Sequence, residues 1–232
     1  QIDWAKVSGI KPLMKKDGEG GKPFRYRMSF KGNNVAPDKA EIGELYDVDL
    51  YYMIQNGNLI ILYDVPDRDI FHSVYDKRND DHRWVQYGFK ARAFVEAIKA
   101  SGNAPKVIRL NEGHMAFVYP AIRADIEYHR QHGTRSVFEG SAIEYTTHTP
   151  EWAGIPIHYD IERLRRLVGP GLLPEYMLTK GSDGKMYFNA LLAVAQNILR
   201  PDNPIPILIN SVSHEHLAVT LQLLLKSLMP EI

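Results

Sequence analysis

The period of the hydrophobic pattern changes near residue 80, and this restricts the chain to folds that join an antiparallel sheet to alternating helices and strands. Before the change the period is two. Phe24, Tyr26, Met28 and Phe30 alternate with Arg25, Arg27 and Ser29, and Val48, Leu50, Tyr52 and Ile54 repeat the pattern, as strands with one buried face require. Asn56-Gly57 separates the second run from Leu59 to Tyr63, and this dipeptide is the strongest short hairpin signal. Residues 1–80 are therefore expected to form a small antiparallel β excursion packed on the domain that follows. Polar stretches 15–22 and 31–44 read as exposed loops.

After residue 80, apolar residues recur at steps of three and four. Trp84, Tyr87, Ala91, Phe94, Val95 and Ile98 give one helical face, closed by Ser101-Gly102. Lys106 to Leu110 reads as a strand. Met115, Val118, Ile122 and Ile126 form the next helical stripe, with Pro120 tolerated in a first turn. Ser141 to Thr147 is a further strand, followed by a helix carrying Ile161, Leu164 and Val168. Phe188, Leu191, Leu192, Ala195, Ile198 and Leu199 predict another helix, Ile205 to Ile209 a strand, and Leu217 onward a closing helix. Such alternation implies crossover connections, so the expected fold class is α/β: a Rossmann-like parallel sheet over residues 81–232 with helices on both faces.

Composition narrows the partners. Twenty-eight basic side chains balance 28 acidic ones, so no global field recruits nucleic acid or an anionic membrane, and a partner must be recognised locally. Cysteine is absent, which excludes disulfides, thiolate metal sites and a cysteine nucleophile. The richest apolar stretch, Leu217 to Leu225, is broken by Thr220 and Gln222, well short of the roughly 18 to 20 residues a bilayer crossing needs. The chain opens at Gln1 without a signal-peptide pattern. It reads as cytoplasmic and as a piece of a longer protein.

Ligands of open parallel sheets bind beyond the carboxyl ends of the strands, which nominates three loops. These are Asn111-Glu112-Gly113-His114, Thr146-Thr147-His148-Thr149-Pro150 and Asn210 to His216, where Ser213 can cap a helix with Glu215 in its first turn. If their strands are parallel neighbours, the loops open on one rim and gather Glu112, His114, His148 and the 214–216 cluster. Imidazoles, hydroxyls and a carboxylate in a neutral crevice suit a polyhydroxylated ligand. The plain alternative for any one of these residues is a cap or a loop fixer. Metal binding at His214-Glu215-His216 is disfavoured, because helix positions two apart do not share a face. Neither a Gly-x-Ser-x-Gly elbow nor a phosphate-cradling Gly-x-x-x-x-Gly-Lys loop occurs. Lys180 to Lys185 reads as a surface turn, Arg163-Leu164-Arg165-Arg166 as a solvated helix face, and Trp84 and Phe94 as core.

Four segments carry a resemblance to a known family. Leu110-Asn111-Glu112-Gly113-His114 precedes Met115-Ala116-Phe117; Thr146-Thr147-His148-Thr149-Pro150 precedes Ala153-Gly154; Phe188-Asn189-Ala190-Leu191 and Asn210-Ser211-Val212-Ser213 follow. Their order and spacing, over roughly residues 80 to 225, resemble the α-glucan (glycogen, starch and maltodextrin) phosphorylases, particularly the bacterial and archaeal branch. The resemblance implies part of the N-terminal half of a two-domain GT-B glycosyltransferase that catalyses reversible phosphorolysis of α-1,4-glucan. By resemblance, His148 and Glu112 are catalytic and Asn111, His114, Thr149 and Ser213 bind substrate. The implied partners are an α-glucan or oligosaccharide and phosphate. A second Rossmann-like domain would supply the lysine for pyridoxal phosphate, so this stretch alone is expected to bind no cofactor and to be inactive. Oligomers are also implied. The family's glycine-rich opening and its C-terminal domain are missing, Glu151-Trp152 replaces Val-Pro, and Ser211 replaces Gly. Two other readings stand beside this one: a glycan-binding module without chemistry, with Trp152 stacking on sugar, and a nucleotide-sugar transferase of the same architecture.

Overall fold

A computed structural model describes residues 9, 11–12, 25–30, 44–56, 58–64, 80–148, 155–169 and 171–228. The expected loops at 15–22 and 31–43 lie outside these residues, as do Thr149, Pro150 and Trp152.

The first unit is antiparallel. Strands β1 (Lys11–Pro12), β2 (Arg25–Phe30), β3 (Glu44–Gln55) and β4 (Asn58–Asp64) pair around β3, which is 12 residues long. Gln55 pairs with Asn58, leaving a two-residue turn in which Asn56 adopts φ 53. That is the left-handed backbone an Asn-Gly hairpin demands. Val48 and Leu50 are fully buried and belong to the same apolar cluster as the helices that follow.

Helix α1 (Asp80–Ser101) runs through the middle of that cluster, with Trp84 to Phe89 all buried. Gly88 is required there, since a Cβ would lie 2.2 Å from the Val168 carbonyl oxygen. Strand β5 (Val107–Asn111) leads through a 3₁₀ turn (Gly113–Met115) into α2 (Val118–Gln131), with Pro120 in the first turn as expected. Strand β6 (Ala142–Thr147) follows, then β7 (Ile157–His158) and α3 (Ile161–Val168), capped by Asp160 accepting from the Arg163 amide at 2.9 Å. Strands β8 (Thr179–Lys180) and β9 (Met186–Asn189), helix α4 (Ala190–Ala195), strand β10 (Ile207–Ser211) and helix α5 (His214–Leu228) complete the order.

The helix expected from Phe188 to Leu199 is shorter than its apolar stripe. Phe188 lies in β9, stacked on Phe117 at 4.9 Å. The Asn189 side chain accepts from the Leu191 and Leu192 amides at 3.0 and 3.1 Å, so α4 starts at Ala190. At its other end, Asn197 donates to the Ala193 and Tyr176 carbonyls, and Ile198 and Leu199 are exposed. The last strand begins two residues later than expected, with Ile205 buried in the core ahead of it. Lys180 to Lys185 is the tight turn joining β8 to β9, where the Gly181 amide donates to the Lys185 carbonyl at 2.8 Å.

Strands β10, β6 and β5 form one parallel sheet in that order, giving the α/β organisation expected from the alternation. Burial differs between its faces. Ile108, Leu110, Ile143 and Tyr145 are buried, whereas their alternates include Val107 at 59% and Leu208 at 63% exposure. Across the open face Glu144 pairs with Arg109 at 2.7 Å and accepts from the side-chain carboxamide of Asn210. Among the described residues no helix is long and apolar enough to cross a membrane.

Candidate functional site

Parallel register fixes where the strands end. Asn111 and Asn210 both pair with Thr146, and Ser211 pairs with Thr147. The three nominated loops therefore leave the sheet at one end, side by side, as the sequence led one to expect. Two backbone bonds extend the ladder past the strands: the Glu112 amide donates to the Thr146 carbonyl at 2.9 Å, and the Val212 amide to that of Thr147 at 3.3 Å.

At Glu112 the chain leaves the extended conformation with φ 73 and ψ 164, a backbone that side-chain-bearing residues seldom adopt. Gly113 then starts the 3₁₀ turn, buried against its surroundings. A Cβ there would lie 2.4 Å from Pro156 Cδ and 3.3 Å from Ala190 Cβ. This contact ties the first loop to the segment before β7 and to the start of α4.

The result is a trio from two separated motifs. His148 Nε2 lies 2.7 Å from Asn111 Oδ1, and His148 Nδ1 lies 4.0 Å from Glu112 Oε1. Asn111 and His148 have the same strand parity, being on the open face, and are diagonal neighbours across the β5–β6 pair. Glu112 has the opposite parity and follows from the buried face. The His148 side chain is 43% exposed and that of Glu112 is 20% exposed, so a ligand can reach both. Beneath them Tyr145 is fully buried; its hydroxyl is pushed above the usual phenol range by burial and, secondarily, by the Glu112 carboxylate.

The other sequence-nominated residues are used differently. His114 lies with its ring 5.9 Å from Tyr87 of α1, tilted, and its pKa is pushed down to about 4 by burial and then by the Lys90 charge. It is a neutral imidazole at neutral pH, engaged with α1. Ser213 accepts from the His216 amide at 3.2 Å and so caps α5. The Glu215 carboxylate is held below its usual range by its own backbone amide and by the Ser213 hydroxyl. Thr149 lies outside the described residues.

Residue types alone left a hydroxyl cluster behind this rim unread. Buried Thr147 lies 3.3 Å from Ser211 Oγ and 3.2 Å from Thr220 Oγ1, and Ser211 donates to the Thr147 carbonyl at 3.0 Å. It joins the ends of β6 and β10 to α5. Strand parity places Thr147 and Ser211 on one face, but the register needed to make them neighbours comes only from the fold.

Among the described residues no group of three His, Asp or Glu could hold a metal ion. The trio does not fit pyridoxal phosphate either. It contains no lysine to bond the cofactor, and its carboxylate would repel the cofactor's phosphate.

No protein-family model matches the chain, and no curated protein matches it. Among solved structures, the catalytic domain of starch synthase IV from Arabidopsis thaliana, bound to ADP and acarbose, is similar with a TM-score of 0.49 and 14% sequence identity. The match covers 80% of this chain and 40% of that one, so the chain spans less than half of the other's length.

Proposed function

We propose that this chain is part of the N-terminal domain of a GT-B glycosyltransferase resembling α-glucan phosphorylase, and that its rim forms one wall of an α-1,4-glucan site. The observation that carries the reading is the meeting of Asn111, Glu112 and His148 from two separated motifs at 2.7 and 4.0 Å. In this role His148 takes a sugar hydroxyl at Nδ1. Glu112 sets a negative charge beside the reacting carbon, where it stabilises the positive charge an oxocarbenium-like sugar develops. Closure of a second domain over the rim excludes water and strengthens that interaction. Phosphate and pyridoxal phosphate belong in this reading to the second domain, so the isolated chain binds sugar without turning it over.

Calorimetric titration with maltoheptaose tests the wall. The chain is expected to bind it, and His148→Ala to weaken binding by about tenfold, the worth of one well-made hydrogen bond. Equal affinity in the two proteins contradicts the role. In the intact protein the same substitution is expected to lower turnover far more than folding stability.

A trio without lysine or arginine also suits a glycan-binding module without chemistry. Consumption of phosphate with maltoheptaose by the intact protein supports the enzyme over the module. It also separates a phosphorylase from a nucleotide-sugar transferase.

A further inference from the structure

We propose that Asn111 is a positioning residue that acts through His148, fixing which imidazole nitrogen is presented to the ligand. The proposal rests on the sugar-wall reading of the rim.

Asn111 is the last residue of β5, held in register with Thr146, and its Oδ1 reaches His148 Nε2 at 2.7 Å. A carboxamide oxygen can only accept, so Nε2 carries the hydrogen of the neutral ring. In that neutral ring Nδ1 is the unprotonated nitrogen, and it faces Glu112 Oε1 across 4.0 Å. Two acceptors opposed at that distance have no hydrogen between them. The pair is incomplete until a donor enters, and a ligand hydroxyl is such a donor. If Nε2 lost its acceptor, the ring could rotate or exchange its hydrogen to Nδ1, and the acceptor pair would be lost with it.

Asn111 is exposed at the end of a strand whose backbone ladder does not need its side chain. Removing the carboxamide therefore tests orientation without undermining the fold. Among the described residues, Glu112 is the second polar side chain beside the ring.

The test is the imidazole ¹H–¹⁵N spectrum of the 232-residue chain, recorded at mildly alkaline pH, alongside maltoheptaose titration. In the unsubstituted chain His148 is expected to show a hydrogen-bonded Nε2–H and an unprotonated Nδ1. Asn111→Ala is expected to abolish the slowly exchanging Nε2–H signal and weaken maltoheptaose binding about fivefold. Asn111→Asp, which keeps an acceptor in place, is expected to retain the signal. An Asn111→Ala spectrum unchanged at His148 overturns the proposal, as does a signal lost equally in both variants. A chain that keeps the Nε2–H signal but binds no maltoheptaose contradicts the sugar reading while upholding the role of Asn111 toward His148.

Discussion

The two faces of the parallel sheet are made from alternate residues of the same three strands, yet they do different work. On one, Ile108, Leu110, Ile143 and Tyr145 join Phe117, Ile122 and Ala193 in the core. On the other, Val107 and Leu208 meet solvent beside the Arg109, Glu144 and Asn210 network. The site lies at the strand ends where the two meet: Asn111 and His148 continue the open face and Glu112 the buried one. The packed face holds the rim in register, and the open one leaves it reachable.

Substitutions on the two faces should separate these contributions. The largest effect is expected from Leu110→Ala, which empties a fully buried position and should cost about 3 kcal/mol in denaturant unfolding. Gly113→Ala follows at about 2 kcal/mol, because its methyl meets Pro156 with little room to shift. It should also displace the Glu112 carboxylate and so weaken sugar binding.

His114 links the rim to the core through pH. With its pKa pushed from 6.5 to about 4, the folded protein binds fewer protons than the unfolded chain between those values. Stability is therefore expected to fall as pH drops through that window. Thermal unfolding of His114→Gln should show a weaker acid loss over the same range. Smallest are the open-face changes: Val107→Ala should cost below about 0.5 kcal/mol, and Arg109→Ala about 0.5 kcal/mol for an ion pair whose arginine is largely exposed. A loss of 2 kcal/mol or more from Val107→Ala would break the contrast between the faces.

Much of this was legible in the sequence because short-range rules decide it. Alternation placed β2, β3 and β4; Asn56 needed only its neighbour Gly57; and parallel strands carry their loops to one end whatever lies between. Other features depend on distant partners. The stripe from Phe188 to Leu199 has helical spacing, but the Asn189 cap and the Asn197 bonds to Tyr176 and Ala193 cut it short. The paired strands β7, β8 and β9 run two to four residues, too few for a period to show. Cover on both sheet faces was expected from alternation alone. Strands buried on both faces read as continuous apolar runs, and Arg109 and Glu144 interrupt β5 and β6, which is the trace of the open face. At the site, the motifs nominated Asn111, Glu112 and His148 together. Which of them touch, and that His114 turns to Tyr87 while Ser213 caps α5, followed from register and packing.

Mapping maltoheptaose onto the backbone amide spectrum tests the central claim most directly. Resonances of Asn111, Glu112 and His148 are expected to move together along a single saturating curve. Saturable shifts confined to other parts of the chain, with these three unmoved, would contradict it.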